Sequence, residues 1–321
     1  MSVVPETFGT KVANSARELN HKALNPFGIP EPDNPERPGI VVLHGGGDTD
    51  EMIDVIPKLT RREKPILVHC PAARESCRPS TRNDADLFQQ FLETEFSVWN
   101  DLVHAGRLSR ISFLTTNTPR DAKSKEFVEP LTQADAVWFC GGDQGPLASL
   151  FVDRLQPTLF QTELHNVLRR GGVVGGSSAG LAIMADLMIE GGQQKNGAPA
   201  VADLSRGLGV LKHVLAEQHF DARKGRIERL TNLLRDHKRI GNHSAVSEPH
   251  KLIGLAVEED TALICQMNRL RVTGRKLAHV FIQSPDPRRI TWHALKPGDE
   301  ARIVASNREW VLELEDWQLS P

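Results

Sequence analysis

The chain has 321 residues, a formal net charge of −2, 39% hydrophobic and 25% charged residues, and no tyrosine. This length suits one large α/β domain with extensions, and the near-neutral charge gives no support to a nucleic-acid or membrane-surface partner. No apolar run reaches the roughly 18 residues of a spanning helix. The N-terminus lacks the basic start, apolar core and small-residue cleavage site of a secretory signal, so a cytoplasmic protein is expected. Cys70, Cys77, Cys140 and Cys265 form no C-x-x-C or His/Cys cluster. They read as reduced structural thiols, and neither a metal nor a cofactor is expected.

Residues 1–38 are polar and carry Pro26, Pro30, Pro32, Pro35 and Pro38, so they read as an extended arm. Apolar, β-branched runs follow at 40–43, 65–69, 110–115, 136–140 and 173–174. Helical patterns at 51–62, 84–105, 123–134 and 157–169 lie between them. This alternation predicts a mostly parallel central sheet flanked by helices on both faces. In such a sheet ligands bind at the C-terminal strand ends. Three of those ends are glycine-rich: Gly45-Gly46-Gly47, Gly141-Gly142-Asp143-Gln144 and Gly176-Ser177-Ser178-Ala179-Gly180. Further on, 214–220, 251–257 and 262–267 read as strands, and 222–239 as one long helix. The tail from 269 reads as short strands that extend the sheet or pack on its end. The organisation is therefore an arm (1–38), an α/β domain (39–268) and a β-rich C-terminal extension on the same domain (269–321).

The third glycine-rich end is a Gly-x-Ser-x-Gly between an apolar strand and the helix-forming run Leu181-Ala182-Ile183-Met184-Ala185. That is the pattern of a nucleophile elbow, a sharp turn presenting Ser178. A serine needs a base. His219 closes a strand on the ligand-binding side and is the best candidate among twelve histidines. Arg223, Arg226 and Arg229 follow at three-residue spacing. They form either a solvated helix face or a guanidinium cluster suited to carboxylates.

Together, Gly141-Gly142-Asp143-Gln144, the elbow, Gln218-His219-Phe220 with its three arginines, and the run from Gly254 to Leu263 resemble cyanophycinases. These belong with dipeptidase E, serine peptidases on a fold like that of class I glutamine amidotransferases. The resemblance covers about residues 39–284. It implies Ser178 as nucleophile and His219 as general base. An oxyanion hole would come from the N–H of Ala179 with one of Gly141, Gly142 or Asp143. Gln144, Gln218, Arg223, Arg226 and Arg229 would grip the substrate. That substrate is cyanophycin, a poly-aspartate with arginine on each β-carboxyl, cut to β-Asp-Arg dipeptides. The family also implies a homodimer.

This chain has Ser177 where the family usually has threonine, Glu217 where it has aspartate, and one extra residue around Lys224-Gly225. The family's triad acid is expected after the elbow helix, in a Gly-rich stretch. Here that stretch, Gly191-Gly192-Gln193-Gln194-Lys195-Asn196, offers amides. Glu190 is the nearest acid and is expected to complete the triad, with Asp186 and Asp203 behind it. Two alternatives stand beside the cyanophycinase reading: an aspartyl or isoaspartyl dipeptidase, and a non-hydrolytic relative binding a small acidic ligand. Glutamine amidotransferase chemistry is not expected despite the shared fold, because position 178 is not a cysteine and no His-x-Glu occurs. No P-loop or dinucleotide fingerprint is present.

Overall fold

Val41, Val42, Leu43, Val173 and Val174 are fully buried. Each contributes about 1.5–3 kcal/mol relative to an exposed side chain, and this drives the two β-branched runs together at the centre of a sheet. The computed structural model describes residues 25–79, 85–153, 155–192, 201–243, 248–284, 286, 289–306 and 309–315. Its first half contains β1 (Ile40–His44), α1 (Asp50–Leu59), β2 (Ile66–Cys70), α2 (Ala85–Glu95), α3 (Ser97–His104) and β3 (Arg110–Phe113). These are followed by α4 (Lys125–Gln133), β4 (Ala136–Phe139), α5 (Gln144–Phe151), α6 (Leu159–Arg169), β5 (Val173–Ser177) and α7 (Ala179–Ala182). The second half is rich in strands: β6 (Leu187–Gly191), β7 (Asp203–Arg206), β8 (Val214–Glu217), α8 (Arg226–Arg235), α9 (His237–Gly241) and β9 (Ile253–Val257). Last come β10 (Thr261–Gln266), β11 (Arg269–Gly274), β12 (Ala278–Gln283), β13 (Ile290–Leu295), β14 (Glu300–Ser306) and β15 (Glu309–Leu314).

The main sheet has the order β15-β14-β11-β10-β1-β5-β4-β2-β3. Strands β1, β5, β4, β2 and β3 pair in parallel, and β10 adds antiparallel to β1. A second sheet has the order β13-β12-β9-β8, and β6 and β7 form a hairpin. The tail thus splits between two sheets, with β11, β14 and β15 extending the first and β12 and β13 the second. Because β10 occupies the place beside β1, β8 lies in the second sheet. His219, just after β8, therefore approaches Ser178 from a different layer.

Local readings differ in three places. The pattern at 84–105 is two helices, broken at Phe96, whose buried ring packs 4.3 Å from that of His69. The pattern at 222–239 becomes α8 and α9. Gly225, at φ 81°, precedes the first, and the Asp236 side chain caps the second. The elbow helix is a single turn, after which the chain swings into β6. Of the arm, 1–24 lie outside the described residues. Phe27 and Ile29 are buried, and His213 N–H donates to the Phe27 carbonyl at 3.3 Å.

Candidate active site

The elbow exists because two of its positions have no room for a side chain. A Cβ at Gly176 would lie 2.7 Å from the Gly180 Cα, and one at Gly180 would lie 2.4 Å from the Phe139 carbonyl oxygen. Between them Ser178 takes φ 54°, ψ −108°, a left-handed conformation costly for any residue with a Cβ. Its N–H donates to the His44 carbonyl on β1 at 3.0 Å, which ties the turn to the neighbouring strand. Beneath it, His44 Nδ1 lies 3.0 Å from Ser177 Oγ and accepts from Gly46 N–H at 3.2 Å. Burial pushes the His44 imidazole down to about 4, so it sits neutral under the turn.

His219 also has a positive φ, 48°, and its N–H donates to the Gly45 carbonyl at 2.8 Å. A Cβ at Gly46 would come within 2.2 Å of His219 Cε1, so the glycine-rich end of β1 is a seat for the imidazole. The ring bridges two groups. Nε2 lies 2.7 Å from Ser178 Oγ, and Nδ1 lies 2.7 Å from Glu259 Oε1. A carboxylate at Nδ1 assigns the proton there and leaves the Nε2 lone pair facing the hydroxyl. Burial lowers the His219 pKa, Glu259 raises it by hydrogen bonding, and Arg223 and Arg226 lower it through their charge. The net shift is downward, so the imidazole is neutral and able to accept a proton at neutral pH.

The carboxylate on His219 is Glu259, not the expected Glu190. Glu190, at the end of β6, places its side chain against Gly145, where a Cβ would lie 2.8 Å from Oε1. Its carbonyl accepts from Gln144 Nε2 at 2.6 Å. Asp186 pairs with Arg206 at 3.5 Å, and Asp203 is on the hairpin's other strand. Residues 193–196 of the Gly-rich stretch lie outside the described residues. Glu259 arrives instead on the β9–β10 turn, because β10 returns beside β1 and brings the turn over Gly45 and Gly46. Asp260 N–H donates to the Gly46 carbonyl at 2.8 Å, and Glu259 N–H donates to Asp221 Oδ1 at 3.0 Å. The signal was present in the sequence as Glu258-Glu259-Asp260 between two apolar runs.

The expected oxyanion donors divide. Asp143 N–H is engaged by the Ala73 carbonyl at 3.0 Å, and its side chain caps α5 through Gly145 N–H, also at 3.0 Å. Gly142 takes φ 154°, and Gly141 lies against the serine, where a Cβ would be 3.4 Å from Ser178 Cβ. Ala179 is the first residue of α7, so its N–H has no acceptor within the helix.

The arginines divide too. Glu217 is fully buried and takes both Arg226 and Arg229, which are themselves buried. Arg229 forks onto the carboxylate at 2.6 and 2.8 Å and also donates to the carbonyls of Gly191 and Gly192. Arg226 reaches the Gln218 carbonyl as well. Only Arg223 of the three is exposed, because it precedes α8 on a turn instead of sharing that helix. Gln218 is buried, and its Oε1 has no hydrogen-bond partner among the described residues. Gln144 is engaged with Glu190 as above. The described helices include none long and apolar enough to cross a membrane.

The sequence model of peptidase family S51 matches residues 41–272. The chain is 30% identical over 198 residues to a cyanophycinase from Synechococcus elongatus, covering 61% of this chain and 55% of that one. It is 31% identical over 156 residues to a cyanophycinase from Geminocystis herdmanii, covering 48% and 51%. The match thus spans about half the length of these relatives. A crystal structure of a peptidase from an acI-B1 Actinobacterium shares the fold, with a TM-score of 0.57 at 19% identity over 83% of this chain and 97% of that one. The chain belongs to peptidase family S51, and its class is that of the serine-type peptidases.

Proposed function

We propose that this chain is a serine exopeptidase for aspartate-rich peptides, with Ser178 as nucleophile, His219 as general base and Glu259 as the acid that orients and stabilises the imidazole. One observation carries the reading: an unbroken relay from Ser178 Oγ to His219 Nε2, and from Nδ1 to Glu259, with both contacts at 2.7 Å. Oγ attacks the scissile carbonyl carbon while its proton passes to Nε2. The carbonyl oxygen becomes an oxyanion facing the N–H of Ala179 and that of Gly141 or Gly142. The imidazolium returns the proton to the leaving amine, leaving an acyl group on Ser178, which water activated by His219 then removes.

The relatives named cyanophycinase support cyanophycin as substrate, with β-Asp-Arg as product, and Arg223, exposed and close enough to His219 to lower its pKa, is a basic side chain available to a substrate carboxylate. A second reading, a dipeptidase for short aspartyl or isoaspartyl peptides, draws support from the burial of Arg226 and Arg229, which leaves less basic surface for a polymer. The deciding experiment incubates the purified chain and Ser178→Ala with insoluble cyanophycin and with an isoaspartyl dipeptide, and measures the products by mass spectrometry. Release of β-Asp-Arg from the polymer, lost in Ser178→Ala, is expected. Cleavage of the dipeptide alone would establish the second reading, and turnover of neither substrate would refute both. A homodimer and a cytoplasmic location remain expectations of the same reading.

A further inference from the structure

The turn that carries Glu259 is held by residues from the C-terminal strands. Glu258 Oε1 lies 3.0 Å from His279 Nε2, and Glu258 Oε2 accepts from Leu277 N–H at 3.1 Å. His279 Nδ1 accepts from the Trp292 indole N–H at 3.2 Å. The indole donor fixes the ring's tautomer. With Nδ1 accepting, the imidazole is neutral and Nε2–H must donate to Glu258. Trp292 is itself stacked on Phe281, centroids 5.5 Å apart at 14°. The other face of the network meets the base, since Phe220, the residue after His219, packs its ring 4.9 Å from that of His279. Lys276 holds Asp221, the acceptor for Glu259 N–H, at 2.6 Å. His279 is 4% exposed, and the carboxyl groups that face it are Glu258 and Asp221.

Every group in this brace beyond residue 272, namely Lys276, Leu277, His279, Phe281 and Trp292, lies outside the stretch matched by the family. We propose that His279, locked by Trp292 and bonded to Glu258, is a positioning residue for the Glu259–His219 pair, so that strands β12 and β13 complete the active site. The proposal rests on the assignment of Ser178, His219 and Glu259 above. Moving Glu258 by one side-chain contact displaces its neighbour Glu259 along the same turn, and the 2.7 Å bond to Nδ1 depends on that placement.

The test is the second-order rate of Ser178 labelling by a fluorophosphonate across pH 5–9, a readout independent of the natural substrate. His279→Leu is expected to slow labelling about tenfold. It should also move the acid limb to lower pH, because a loosened Glu259 no longer raises the His219 pKa. His279→Gln, whose amide keeps an N–H for Glu258, should recover most of the rate. Trp292→Phe keeps the stack but removes the indole donor, and it should slow labelling about threefold with a smaller shift of the limb. It carries the test if His279→Leu does not fold. A wild-type rate and limb in His279→Leu, or in Trp292→Phe, would overturn the proposal even if the variant melts earlier. So would a His279→Gln no faster than His279→Leu. Glu259→Gln separates this failure from that of the parent reading. If Glu259→Gln is slowed and His279→Leu is not, only the brace is wrong. A wild-type rate in Glu259→Gln, or no adduct on wild-type Ser178, overturns both.

Discussion

Replacing Glu217 by glutamine decides whether the arginine cluster binds substrate or holds the fold. Glu217 is fully buried on β8 and is the shared carboxylate of the buried Arg226 and Arg229. The amide is nearly isosteric but uncharged, and it exchanges one accepting oxygen for an N–H donor aimed at guanidinium donors. Two cations are then left in the interior without a counter-charge, a change that costs about 3–5 kcal/mol when one partner of a buried pair is removed. An unfolding entropy of about 2.1 cal/mol/K per residue implies roughly 0.6–0.7 kcal/mol/K for a chain of this size. The melting temperature should therefore fall by about 5–8 °C. Calorimetry at pH 7.5, supported by urea denaturation, is the assay. A fall of less than about 2 °C would show that the arginines do not need Glu217 in the folded state. They would then be free to turn toward a substrate, which would refute the structural role assigned to them.

Two further outcomes follow from the seat of the His219 imidazole. Gly46→Ala adds a methyl group within 2.2 Å of His219 Cε1, so the ring must move off Ser178. Fluorophosphonate labelling should drop by about a hundredfold or more, and a loss under threefold would show that the loop yields instead. His44 is neutral in the fold, with its pKa pushed from 6.5 to about 4 by burial. Below pH 6.5 the unfolded chain binds a proton that the native state refuses, so stability is full above that pH and declines as pH falls toward 4. The loss amounts to roughly 3 kcal/mol for this group. In His44→Asn, which retains an acceptor for Gly46 N–H, the urea midpoint should change less between pH 7.5 and 5 than in the wild type. An identical pH dependence would mean that other groups dominate acid unfolding.

The sequence by itself determined the features that rest on local sterics. Gly176 and Gly180 flank Ser178 because strand, turn and helix must touch there; the close approach of Gly176 to Gly180 lies within five residues, while the crowding at Gly180 itself comes from Phe139 on β4. The alternation of apolar runs with amphipathic ones likewise determined the parallel core and its helical cover. The end of β8 was enough to mark His219. The tertiary structure decided which carboxylate meets the imidazole and which arginines remain exposed. Glu190 is near Ser178 along the chain, yet Glu259 reaches the ring because β10 pairs antiparallel with β1 and brings its turn over Gly45 and Gly46. Three-residue spacing allowed Arg223, Arg226 and Arg229 one face, but Gly225 starts the helix after the first of them, and the buried charge of Glu217 draws in the other two. Both outcomes depend on long-range register and on the need of a buried ion for a partner, and neither is encoded in the spacing of neighbouring residues.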